Sequence, residues 1–230
     1  MKDVIIACDF NSRKELFNFL EKFGKHRPFL KIGMELYYAT GSDMVRELKA
    51  RGHKIFLDLK LHDIPNTVKK AMSVLSSLDV DICNVHATGG KEMMKHAVEG
   101  LTRKDGTRPL IIAVTLLTSI STEVLREELL VSPEIEETVM RYALNSKEAG
   151  LDGVVCSPLE AEKVKYVCGR EFLTVTPGIR FADGDKGDQV RVADPEFARA
   201  NSDYIVVGRP ITKAADPVAA YLRCIKEFLG

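Results

Sequence analysis

Eight short apolar runs recur along the chain. They are V-I-I-A-C-D at 4–9, F-L-K-I-G at 29–33, K-I-F-L-D-L at 54–59 and D-I-C-N-V-H at 81–86. L-I-I-A-V-T-L-L at 110–117, D-G-V-V-C-S at 152–157, F-L-T-V-T-P at 172–177 and Y-I-V-V-G at 204–208 complete the series. The runs are nearly continuous rather than alternating, the pattern of strands covered on both faces in a parallel sheet.

Helical periodicity fills the gaps. Residues 12–23 place Leu16, Phe19, Leu20 and Phe23 on one face. Ser12 and Glu15 have capping-box spacing, and Gly24 is the stop. Further helices are predicted over 42–51, 65–78, 90–103, 134–149, 158–168, 194–200 and 216–229. Pro65 lies near a first helical position, where its missing N–H costs nothing. Two connections are longer than minimal. Residues 118–133 are expected to add a short helix, and the polar, glycine-containing 178–193 loop reads as functional, a candidate lid.

Eight β–α units in 230 residues predict a single (β/α)8 TIM barrel, one domain spanning 1–230. A doubly wound open sheet is the rival. No Gly-x-Gly-x-x-Gly follows the first run, which weakens its dinucleotide-binding version.

The 33 basic and 33 acidic side chains balance, so no global field draws the chain to nucleic acid or to an anionic membrane. An anionic ligand needs a local site. Five cysteines, odd in number and without a C-x-x-C pair, fit small buried hydrophobes in a reducing compartment. No stretch approaches the roughly 18 apolar residues of a membrane span. A soluble cytoplasmic protein is expected.

Barrel active sites sit at the C-terminal strand ends, and that is where the polar residues fall. Asp9 closes the first run, Lys31 lies in the second, and Asp58 and Lys60 close the third. His86 closes the fourth, Thr118 follows the fifth, and Pro177 and Arg180 follow the seventh. Gly208 and Arg209 follow the eighth. Strand parity puts Phe56, Asp58 and Lys60 on the inner side of L-D-L-K-L, with Leu57 and Leu59 toward the helices. An aspartate between two lysines gives each ammonium a partner, a set that suits catalysis but equally a structural ion-pair network. T-P-G-I-R and V-V-G-R-P pair glycine with arginine where barrels commonly bind phosphate. Arg180 and Arg209 can each offer a fork of donors to its oxygens.

D-L-K-L-H-D-I-P-N-T at 58–67 resembles the D-x-K-x-x-D-I-P-x-T signature of the orotidine 5′-monophosphate decarboxylase family. The resemblance runs the length of the chain. A-C-D-F, F-L-K-I-G, N-V-H-A-T-G-G, L-T-S, T-P-G-I-R, D-Q-V-R and V-V-G-R-P-I-T follow in the order of the bacterial form.

The resemblance implies decarboxylation of orotidine 5′-monophosphate to uridine 5′-monophosphate, the last step of de novo UMP synthesis, with no metal or organic cofactor. It implies that Lys60 stabilises and protonates the C6 carbanion, that Asp58 faces the substrate carboxylate, and that Lys31 and Asp9 contact the ribose. It further implies a homodimer in which Asp63, Ile64 and Thr67 enter the partner's site. Asp63 would then complete a Lys31-Asp58-Lys60-Asp63 network; capping of the helix at Pro65 is its alternative reading. Arg180, Gln189 and Arg209 would hold the phosphate with the Gly208 amide, and Thr118 the pyrimidine edge. His86 is expected to support or pack rather than act as a base.

Two other functions compete. A magnesium-dependent sugar-phosphate lyase of the same superfamily typically has glutamate in the second strand, where this chain has Lys31, which cannot ligate a hard cation. A non-catalytic nucleotide-binding barrel has no use for an anion facing the ligand's carboxylate.

Overall fold

The eight apolar runs form β1 (Asp3–Ala7), β2 (Phe29–Gly33), β3 (Ile55–Leu61), β4 (Ile82–His86), β5 (Leu110–Val114), β6 (Gly153–Val155), β7 (Leu173–Thr176) and β8 (Tyr204–Val207). The computed structural model describes residues 2–181 and 192–230. Every strand pairs in parallel with its sequence neighbour, and β8 returns to β1. This closes the sheet into a (β/α)8 barrel and removes the open-sheet alternative.

Parallel neighbours need crossovers, and helices supply them. They are α1 (Arg13–Glu21), α2 (Met34–Ala50), α3 (Pro65–Leu75), α4 (Gly90–Leu101), α5 (Ile135–Glu148), α6 (Ala161–Cys168), α7 (Pro195–Ala198), α8 (Arg209–Thr212) and α9 (Pro217–Leu229). Ser12 caps α1 as its spacing predicts, its hydroxyl accepting from the Glu15 amide at 3.4 Å. Asp216 caps α9 by accepting from the amides of Val218 and Ala219, both at 3.0 Å. The expected short helix after β5 is a single wide turn, Val124–Glu128.

Three elements depart from the pattern. The helix predicted from Ser42 begins at Met34, and its two segments meet at Gly41, whose φ of 70° is left-handed. Gly41 reads in sequence as a boundary, which hid the first segment. The helix predicted over 194–200 is a single turn, Pro195–Ala198. The four-residue α8 after β8 carried no periodic signal.

Strand parity divides the core in two. Ile5, Ala7, Phe29, Phe56, Ile82, Ile112, Val175, Tyr204 and Val206 fill the barrel interior. Val4, Ile6, Leu57, Leu59, Cys83, Val85, Ile205 and Val207 face the helices. The predicted inward Phe56 and outward Leu57 and Leu59 are therefore observed.

Aspartates clamp the opposite end. Asp81, before β4, accepts from the Ile55 amide and from Lys49, each at 2.7 Å. Asp152, before β6, accepts from the Ile111 amide at 2.8 Å and pairs with Arg108. Asp203, before β8, accepts from the Thr174 amide at 2.8 Å and pairs with Lys165. Each ties adjacent strand starts together, leaving the C-terminal mouth for chemistry. Among the described residues no helix is long and apolar enough to cross a membrane.

Candidate active site

The mouth of the barrel holds a cavity of about 180 Å³. Lys31, Asp58 and Lys60 line one part of it; Val114, Val155, Pro177 and Val206 supply apolar wall, and Thr118 adds a buried hydroxyl.

Parallel register brings the charges together. Gly33 on β2 pairs with Asp58 on β3, so Lys31 lies one inward position below Asp58 on the neighbouring strand. Asp58 Oδ2 stands 3.3 Å from Lys31 Nζ, and Oδ1 accepts from Lys60 Nζ at 2.7 Å. Lys31 Nζ also donates to Asp9 Oδ1 at 3.1 Å. The chain Asp9–Lys31–Asp58–Lys60 thus runs across β1, β2 and β3. Its exposure is graded: the side chain of Asp58 is 9% accessible and Lys31 13%, while Asp9 is 64%.

Burial alone would lower the Lys31 pKa, but the charges of Asp58 and Asp9 outweigh it and hold the ammonium above its ordinary value. Burial likewise pushes the Asp58 carboxyl upward. The charges of Lys31 and Lys60, with hydrogen bonds from Lys60 and Asn84, overcome that and leave it below its ordinary value. Both groups are therefore ionised at neutral pH. Asp58 thus stands between two cations, and with Asp9 the four side chains balance, two positive and two negative.

Lys60 has an unusual backbone. Its φ of 51° is left-handed, a conformation that costs a non-glycine residue on the order of 1–3 kcal/mol. The β3–β4 ladder slips here: Leu57 pairs with Cys83, but Leu61 pairs with Val85. Four steps on β3 match two on β4, a bulge at a functional strand end. The Lys60 amide leaves the ladder and donates to the side-chain oxygen of Asn84 at 2.8 Å. Asn84 Nδ2 donates in turn to Asp58 Oδ1 at 2.7 Å. Asn84 is buried. Within N-V-H-A-T-G-G its residue type alone points to no role; its inward parity on β4, between Ile82 and His86, is the available signal.

His86 ends β4, its ring 5.8 Å from that of His62. Burial lowers its pKa, and the nearby charges of His62 and Lys60 lower it further. It is neutral at pH 7, in keeping with a supporting place.

Gly208 lies at the end of β8 beside Asp9: a Cβ there would stand 3.6 Å from Ala7 Cβ and 4.0 Å from Asp9 Oδ2. Arg209 follows and is exposed. At the end of β7 the chain is pinned to the far side of its loop. The Arg180 amide donates to the Ala193 carbonyl at 2.9 Å, and the Ala193 amide to Gly178 at 3.1 Å. Gln189 and most of the predicted lid lie outside the described residues.

Asp63, Ile64 and Thr67 are exposed beyond the rim and do not line their own chain's cavity. Asp63 accepts from the Ile64 amide at 2.6 Å. It is not the cap of α3, since Ile64 occupies that position without a side-chain bond.

Residues 2–224 match the model of the orotidine 5′-phosphate decarboxylase / HUMPS family. The chain belongs to this family. Orotidine 5′-phosphate decarboxylase of Bacillus cytotoxicus is 56% identical over 233 residues, covering 100% of this chain and 98% of the relative. The protein of that name from Geobacillus sp. (strain WCH70) is 53% identical over 230 residues, covering 98% and 96%. Among solved structures, orotidine 5′-phosphate decarboxylase from Lactobacillus acidophilus superposes with a TM-score of 0.90 at 44% identity, covering both chains in full. An uncharacterized conserved protein from Geobacillus kaustophilus gives 0.87 at 48% identity, covering 98% and 99%. As a member of the orotidine 5′-phosphate decarboxylase / HUMPS family, the chain is an enzyme, a carboxy-lyase.

Proposed function

We propose that the chain decarboxylates orotidine 5′-monophosphate to uridine 5′-monophosphate and carbon dioxide, without metal or organic cofactor, in the cytoplasm. The observation that carries this is the Lys31–Asp58–Lys60 set at the wall of a largely apolar cavity. Apolar walls with few polar groups suit a flat base, and Thr118 is placed to bond its edge.

The chemistry follows from charge. When the C6–carboxylate bond breaks, its electron pair stays on C6, and the substrate supplies no sink for it. The Lys60 ammonium stabilises that charge in a water-poor site, then gives C6 a proton and recovers one from solvent. Asp58 orients Lys60 by accepting from its Nζ at 2.7 Å. Placed against the substrate carboxylate, it also repels a charge that departs as carbon dioxide. Lys31 and Asp9 reach the ribose hydroxyls. Lys31 sits between the carboxylates of Asp9 and Asp58.

The reading extends to a homodimer with facing mouths. The exposed Asp63, Ile64 and Thr67 then contribute to the partner's site, and Asp63 completes the network. Arg180, Gln189, Arg209 and the Gly208 amide bind the phosphate, whose binding energy can lower a distant barrier when a loop closes over it. Pro177 packs on the base.

The test follows orotidine 5′-monophosphate absorbance on adding protein, with and without EDTA. Turnover unaffected by EDTA is expected. A folded protein that leaves this substrate intact, yet cleaves keto-sugar phosphates with magnesium, would replace this reading with the metal-dependent lyase.

A further inference from the structure

We infer that Asn84 is a positioning residue for the reaction, holding both Asp58 and Lys60 through a single side-chain amide. This rests on the proposed decarboxylation.

Three observations converge on it. Asn84 sits on β4 between Cys83 and Val85, the stretch opposite the β3 bulge that carries Asp58 and Lys60. Its two polar atoms are both used. The oxygen accepts the Lys60 amide, and the nitrogen donates to the Asp58 oxygen that also receives Lys60 Nζ. The residue is 1% exposed, so water cannot replace either bond at that place.

The chemistry demands a carboxamide. The Lys60 N–H, expelled from the ladder, needs an acceptor, and the buried Asp58 carboxylate needs a donor. Only a group with both, on one short side chain, satisfies the two. Aspartate would present a second anion to Asp58, serine could not span both partners, and an apolar residue would leave each unpaired. Asn84 also helps offset the left-handed strain at Lys60 by satisfying the amide that leaves the ladder there. Lys60 Nζ is therefore aimed from its backbone as well as through Asp58.

A residue of this kind acts on the reacting geometry and leaves ground-state binding largely alone. The experiment compares wild type with Asn84→Ala and Asn84→Leu, the second keeping the buried slot filled if the first fails to fold. In folded variants kcat for orotidine 5′-monophosphate is expected to fall roughly 100-fold while KM stays within about threefold. Exchange of the Lys60 backbone amide, read by NMR, should quicken by at least about tenfold relative to that of Leu57. The two effects together support the inference. A folded variant with kcat within about threefold of wild type would overturn it, as would an unchanged Lys60 amide. If wild type itself does not turn over this nucleotide, the functional reading fails alone, and the exchange measurement still decides whether Asn84 holds Lys60.

Discussion

Lys31 Nζ and Asp58 Oδ2 face each other at 3.3 Å across the β2–β3 ladder, deep enough that each sets the charge of the other. Remove either and the other loses a buried counter-charge, with only Asp9 left to meet Lys31 or Lys60 left to meet Asp58, which makes the mouth a sensitive place for substitution.

Asp58→Ala leaves Lys31 and Lys60 with their shared anion gone. Breaking a buried pair from one side costs about 3–5 kcal/mol. Denaturant unfolding of the variant should show a loss in that range together with loss of decarboxylation. A change below about 1 kcal/mol would show that the network is solvated in solution.

Lys60→Ala is expected to cut turnover by on the order of 10³-fold or more, because it removes both the charge at C6 and the proton donor. His86→Asn is expected to stay within roughly tenfold, since the N–H of a neutral imidazole is too weak an acid to serve as the proton donor. Steady-state rates on the two variants separate the roles; the reverse ranking would make His86 the acid.

The pH dependence of stability follows from the two shifted groups. Asp58 is held below its ordinary value of 3.8, so its contribution is full above that pH and is lost as pH falls through the lowered value. Lys31 is held above its ordinary value of 10.5, so its contribution is full below that pH and is lost as pH rises through the raised value. The stability gap between wild type and Lys31→Met, measured by urea titration, should be flat around neutral pH and close at the two extremes, where Lys31 loses its proton or Asp58 gains one. A gap that closes near pH 7 would contradict the assignment.

Subunit sharing of the site can be tested by complementation. Lys60→Ala and Asp63→Ala should each be nearly inactive alone. Mixed dimers contain one site with both residues intact, so random assembly of equal amounts should recover on the order of a quarter of wild-type activity. No recovery from chains shown to have mixed would place Asp63 outside the partner's site.

Much of this site was legible because strand parity is a strong constraint. L-D-L-K-L cannot sit in a barrel without putting Phe56, Asp58 and Lys60 on one side and the leucines on the other. The ends of the eight apolar runs marked the mouth for the same reason. What was hidden depends on partners distant in sequence. No local pattern announces that the β3–β4 register slips, that Lys60 turns left-handed, or that Asn84 catches the amide so released. The segment of α2 before Gly41 was hidden because a glycine at a kink and a glycine at a helix end look alike in sequence. The sharing of Asp63 came from family resemblance alone; one chain shows it exposed and off its own cavity.

The five thiols carry a practical consequence. Cys8, Cys83, Cys156, Cys168 and Cys224 are all buried, and none forms a disulfide. Burial raises the pKa of Cys83 and of Cys224 to about 12, so thiolate is scarce even where reagent could reach. They are spread over the end of β1, β4, the end of β6, α6 and α9, around the whole circuit of the barrel. The folded enzyme should therefore ignore maleimide and mild oxidants, and each sulfur becomes a clock for the opening of its own sector. Labelling rates read residue by residue would time how the barrel comes apart, with no probe added to the protein.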